Sequence, residues 1–73
     1  MENKFISLLA DILEMDANEI KLNDKFRNYK NWSSLAYLST IAMMDEDFNI
    51  QIEMKEFKSL ITVGDLVHVV TKK

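Results

Sequence analysis

One glycine and no proline in 73 residues leave this chain few means of turning sharply. Combined with a 48% hydrophobic fraction, that scarcity points to compact helices rather than a turn-rich β protein. The length suits one domain over residues 1–73 and a small core, near the lower end of what folds without staples. There is no cysteine, so no disulfide can help and the core must suffice. Twelve acidic and nine basic residues give a net charge of −3. That sign argues against nucleic acid or an anionic membrane as partner and suits basic protein surfaces. The first ten residues hold no sustained apolar stretch and no run reaches transmembrane length. The expectation is a soluble cytoplasmic monomer with no membrane insertion.

Phe5, Leu8, Leu9, Ile12 and Leu13 repeat at helical spacing, which predicts a first helix over about residues 2–15. Asp16 followed by Glu19 reads as a capping-box variant and predicts a short further turn. Residues 21–33 show no clean period and form a long loop, anchored by Leu22, Phe26, Tyr29 and Trp32. A second helix starts near Ser33 or Ser34. Leu35, Leu38, Ile41, Met44 or Asp45, and Phe48 give it a core stripe, with Ala36, Ser39, Thr40, Met43 and Asp47 towards the other side. Asn49 suits its C-cap, because Asn tolerates the left-handed conformation.

Ile50 and Ile52 alternate like a strand, yet no partner strand is evident, so they read as an extended linker against the core. Met54–Lys58 predicts one short helical turn with Phe57 and Leu60 inward. Thr62, with Asp65 three residues on, opens a last helix through about Val70. Leu66, Val69 and Val70 are its apolar face, and Lys72 and Lys73 sit well at its negative end.

Ser33 and Ser34 admit two readings. Serine is a preferred N-cap, and a pair at a helix start commonly means only that. Alternatively the two divide the work: Ser33 caps, while Ser34 keeps its hydroxyl outward beside unpaired N–H groups that favour an anion. Asp45, Glu46 and Asp47 can be a solvated helix end, although acids there oppose the helix dipole. Asp45, Asp47, Asn49, Gln51, Glu53 and Glu56 also match ligand positions of an EF-hand loop, but its turn glycine is replaced by Ile50. His68 is the only histidine and reads as a partly exposed helical position, so no metal cluster or catalytic triad is evident. Met44 and Met54 are expected to line an adaptable interior.

Ser34-Leu35 opening a helix that runs to Asp45-Glu46-Asp47-Phe48 resembles the acyl carrier protein family. Its signature is Asp-Ser-Leu at the start of the second helix, with an acidic cluster and a Phe downstream. The likeness spans the chain, without gaps from Ser34 to Val70. It includes the long first loop, the Ile-x-Ile linker and Thr62-Val63-Gly64-Asp65. Trp32 before Ser-x-Leu is similar to a branch of dedicated bacterial carriers.

The resemblance implies an all-α four-helix carrier bundle with a short third helix, and no reaction of its own. Ser34 would carry a 4′-phosphopantetheine arm, which would also supply the thiol this chain lacks and so hold acyl groups as thioesters. Ser33 stands where the family has Asp; it can replace the cap but not the charge. The implied partners are a phosphopantetheinyl transferase and acyl-loading and acyl-transferring enzymes of fatty-acid, polyketide or related biosynthesis. Leu35, Ala36, Ser39, Met43, Asp45 and Glu46 would meet them along the second helix. Trp32 and Tyr29 are loop anchors, with contact to the arm as the alternative. Two other functions fit the same fold: an aminoacyl or peptidyl carrier of a nonribosomal pathway, and an unmodified interaction module.

Overall fold

Phe5, Leu9 and Leu13 stand four residues apart and all three are fully buried, which fixes the inward face of the first helix, α1 (Glu2–Leu13). The computed structural model describes residues 2–72; Met1 and Lys73, the latter expected at the last helix's negative end, lie outside the described residues. Helix α1 stops slightly before its expected end because Glu14 turns left-handed (φ 56°), and Met15 N–H then bonds Ala10 C=O at 3.0 Å. The short turn after it is a 3₁₀ helix, Ala17–Glu19, whose Glu19 carboxylate accepts the Asp16 N–H.

Three further helices follow: α2 (Ser34–Phe48), α3 (Met54–Lys58) and α4 (Val63–Thr71). Asn49 closes α2 in the left-handed region, as its amide side chain permits. Ile50 and Ile52 form the half-buried link to α3. Among the described residues no strand forms; one isolated antiparallel bridge joins Lys25 and Thr62. The architecture is an all-α bundle of three longer helices and a short third. Asp45 and Asp47 lie inside α2, which runs unbroken to Phe48, so they do not open an EF-hand loop.

The inward face of α2 differs from the one expected. Leu35 and Leu38 are 74% and 60% exposed, whereas Ala36, Thr40, Met43, Met44 and Phe48 are buried. Both phases share Phe48, whose ring lies 5.8 Å from that of Phe5. Counting back from it in steps of four gives Met44, Thr40 and Ala36; steps of three beyond residue 44 give Ile41, Leu38 and Leu35. The first series wins although it is less hydrophobic. Thr40 Oγ1 donates to the Ala36 carbonyl at 2.8 Å, so a buried threonine leaves no polar atom unpaired. Ala36 and Met43 therefore belong to the core and not to a docking face.

Two backbone hydrogen bonds tie the loop from residue 14 to 33 to the start of α4. Gly64 N–H donates to Leu22 C=O at 2.8 Å and Val63 N–H to Asp24 C=O at 2.9 Å, which satisfies donors of the first turn of α4 that the helix cannot. A Cβ on Gly64 would stand 3.1 Å from the Leu22 oxygen, tight for any side chain. Leu22, expected as a side-chain anchor, keeps its side chain 41% exposed and anchors by this carbonyl instead. Phe26 is buried at the head of a 3₁₀ turn, Phe26–Asn28. Tyr29 donates its hydroxyl to Asp24 at 2.7 Å, and burial together with that bond pushes its ionisation above the ordinary tyrosine range.

Helix α1 packs against α2 and α4. In α4, Val63, Leu66, Val67 and Val70 are buried and Val69 partly so. Thr62 Oγ1 accepts Asp65 N–H at 3.1 Å, and the Asp65 carboxylate accepts Thr62 N–H at 3.0 Å and Ile61 N–H at 2.8 Å. These donors hold the Asp65 carboxyl below its ordinary pKa. Phe57 is buried from α3, with Leu60 partly buried after it. Met44 is fully buried, but Met54 is 58% exposed and lines no interior.

Candidate functional site

Two polar groups prepare the start of α2. Asn31 Nδ2 donates to Leu13 C=O at 2.6 Å, tying the end of the loop to the last turn of α1. Ser33 is extended (φ −152°, ψ 177°), and its side-chain oxygen accepts Ala36 N–H at 3.2 Å. This is the N-cap arrangement, in which the capping residue stays outside the helix and satisfies a first-turn donor.

Ser34 is the first residue inside α2 and is exposed. No hydrogen bond among the described residues engages its hydroxyl. The serines are thus distinct in geometry: one side chain is committed to the helix, the next is available to solvent. The first turn of α2 contains no acid. Its partial positive charge favours an anion on that hydroxyl.

Ser34 also edges an open cleft of about 370 Å³ between the start of α2 and α3. Trp32, Tyr37 and Phe57 line it. The Trp32 and Phe57 rings stack at 6.3 Å with 7° between their planes, and Tyr37 meets Phe57 edge-on at 5.0 Å. Phe26 lies beneath, 4.9 Å from Trp32 and 5.6 Å from Phe57. Trp32 thereby anchors the loop while contributing to the cleft. The cluster is packed in the edge and offset geometries that aromatic rings prefer.

Arg27 is the residue that sequence reading missed. Its guanidinium donates to Leu60 C=O, and to Phe57 C=O at 3.0 Å, and lies 4.6 Å from the Phe26 ring centroid and 5.5 Å from that of Phe57. It ties the long loop to the end of α3, where the Phe57 carbonyl also accepts Leu60 N–H at 3.0 Å. A lone arginine among the loop's scattered cations carries no sequence signal for such a contact, since its partners lie some thirty residues away. Arg27 and Lys58 both line the cleft.

Of the other expected contact residues, Leu35, Asp45 and Glu46 are exposed and Ser39 is partly exposed, whereas Ala36 and Met43 are turned into the core. Asp45 and Glu46 stand near the far end of α2 from Ser34, outside the cleft. His68 is exposed on α4 and takes no part.

Ser34, the open cleft and two nearby cations fit a phosphate-linked prosthetic group: a free hydroxyl for the ester, positive charge for the phosphate and apolar rings for the chain beyond it. A family model described as "Phosphopantetheine attachment site" matches residues 3–70. An acyl carrier protein of Chlamydia caviae is 31% identical over 67 residues, covering 92% of this chain and 87% of its own. One of Clostridium acetobutylicum is 32% identical over 65 residues, covering 89% and 84%. With its fold, its hydroxyl-bearing helix start and its relatives in accord over most of their lengths, this chain belongs to the acyl carrier protein family and is a phosphopantetheine carrier.

Proposed function

We propose that Ser34 Oγ is the attachment point of the phosphopantetheine arm and that the protein holds acyl groups there as thioesters for successive partner enzymes. The observation that carries this reading is the pairing of a committed Ser33 with an unengaged, exposed Ser34 at the first position of α2. On loading, the Ser34 oxygen bonds to the phosphorus of coenzyme A's pantetheine phosphate as the pyrophosphate link breaks. The hydroxyl proton passes to a base of the transferase, and adenosine 3′,5′-bisphosphate leaves.

The arm's thiol supplies the thioester chemistry. This chain's residues supply position, surface and tether, and they catalyse nothing. Tethering raises the cargo's effective concentration at each partner's active site. Among the described residues no helix is long and apolar enough to cross a membrane. The partners are a phosphopantetheinyl transferase and the enzymes that load and receive acyl groups in fatty-acid, polyketide or related biosynthesis, and the protein meets them as a cytoplasmic monomer.

The docking face is the exposed side of α2, where Leu35 and Leu38 are uncovered apolar groups and Ser39, Asp45 and Glu46 add polarity towards the far end. Partners there meet apolar contact first and negative charge second. Incubation with coenzyme A and a phosphopantetheinyl transferase, read by intact mass, tests the attachment. Wild type gains one phosphopantetheine, and Ser34→Ala gains none.

A further inference from the structure

We propose that the groove between α1 and α2 is a docking site for a cationic amphipathic helix of a partner protein, seated on the flank of α2 away from Ser34. The inference does not rest on Ser34 as attachment point. It goes beyond the exposed side of α2, with which it shares Ser39 and Glu46, by making α1 half of the site. The groove has a volume of about 340 Å³. Half-buried Leu8 and Ile12 of α1 form one apolar wall, and Ala42 and Met43 of α2 form the other. Asp11, Glu46 and Asp47 stand exposed along it, and among the described residues lining the groove none is basic. None of these three carboxylates makes an ion pair or a side-chain hydrogen bond among the described residues.

Charge and shape together select the occupant. Unpaired acids gathered beside an apolar floor repel one another, and cations on an incoming surface relieve that repulsion. Both walls are helical stripes: Leu8, Asp11 and Ile12 repeat at three and four residues, as do Ser39, Ala42, Met43 and Glu46. From Ser39 to Asp47 the α2 wall runs about 12 Å, roughly two helical turns. A helix laid along it buries apolar side chains between the walls and sets Lys or Arg against the carboxylates. A second copy of this chain does not match that description. Of its nine cations, Lys21, Lys25, Arg27 and Lys30 lie in the long loop and Lys55 and Lys58 in the five-residue α3. Helices α1 and α4 already bury their apolar faces in the bundle, and a net charge of −3 opposes self-association. Turning about 100° per residue, α2 places Ser34 and Tyr37 on one flank and Ser39, Met43 and Glu46 on the other. A segment in the groove therefore leaves Ser34 and its cleft uncovered, so one partner can hold the protein while another works at that serine.

The test titrates the unloaded full-length chain, with Ser34→Ala beside it, using a synthetic stapled helix of about four turns, leucine on one face and lysine on the other. The same helix with glutamate for lysine is the control. Methyl resonances of Leu8 and Ile12 should shift with the lysine helix while those of Leu38 and Met54 stay in place, and the glutamate helix should not bind. Asp11→Lys, an exposed change on α1, should fold as wild type and weaken binding about tenfold at low salt, one ion pair lost and one repulsion gained. Asp11→Asn should fall between the two, and added salt should narrow the differences. Shifts at Leu38 as large as those at Leu8, or an affinity that Asp11→Lys leaves unchanged, overturn the proposal. Shifts at Leu8 and Ile12 that grow with protein concentration alone make a second copy the occupant and overturn it as well. Ser34→Ala should bind the helix as wild type does, so failure here leaves the attachment reading intact, and failure to load leaves this groove intact.

Discussion

Thr40 Oγ1 lies 2.8 Å from the Ala36 carbonyl, one turn back along α2, and this bond lets a polar side chain sit fully buried where a leucine was expected. The face that α2 buries depends on it. Leu38→Gln should change stability by no more than about 0.5 kcal/mol, the usual range for exposed positions. Met44→Ala, by contrast, should cost about 2–5 kcal/mol as a core truncation. Urea unfolding of both variants separates the two phases, and the reverse order would show that Leu38 faces inward.

The Ser33 cap is separable from the Ser34 hydroxyl. Ser33→Ala should lose about 1 kcal/mol of stability, the common cost of removing an N-cap, while Ser34 stays loadable. Ser33→Asp should keep the cap, add negative charge to the positive helix end, and be at least as stable as wild type. Thermal melts paired with intact mass check both parts.

Asp65 makes acid stability measurable at one site. Its folded pKa is lowered by the Thr62 and Ile61 backbone donors. Its stabilisation is therefore fully present above the unfolded aspartate value of about 4, and is lost as pH falls through the lower folded value. Asp65→Asn should be less stable than wild type at neutral pH, and the gap should shrink in acid below that value. A gap of equal size at neutral and strongly acidic pH would show that the charge contributes nothing.

Charge at the far end of α2 bears on partners. Reversing Asp45 and Glu46 to lysine should weaken binding to a basic loading enzyme and flatten its salt dependence, mostly through slower association. The expected drop is about tenfold at low salt, of the order of one or two rim charges. An unchanged salt slope would assign docking to Leu35 and Leu38 alone.

Much of this molecule was legible in its sequence, for physical reasons that differ by element. The α1 stripe was readable because its apolar spacing admits one phase. Asn49 and the Thr62–Asp65 box were readable because each residue type has a specific backbone role. The inward face of α2 was not, because apolar residues run round it and the choice depended on a threonine satisfying its own hydroxyl. Leu22 holds by its backbone carbonyl, which no side-chain pattern reveals. Arg27 and the cleft arise from contacts between segments about thirty residues apart, beyond the reach of any local period. At the site itself, the division in which Ser33 caps and Ser34 stays outward was one of two readings open in the sequence, because serine suits an N-cap, and the geometry selects it.

The most direct measurement is the intact mass of wild type and Ser34→Ala after exposure to coenzyme A and a phosphopantetheinyl transferase, beside protein isolated from its own cells. Wild type, native and treated, should carry one phosphopantetheine and the variant none. Bare polypeptide in every sample, or a mass gain that persists in Ser34→Ala, would contradict the account.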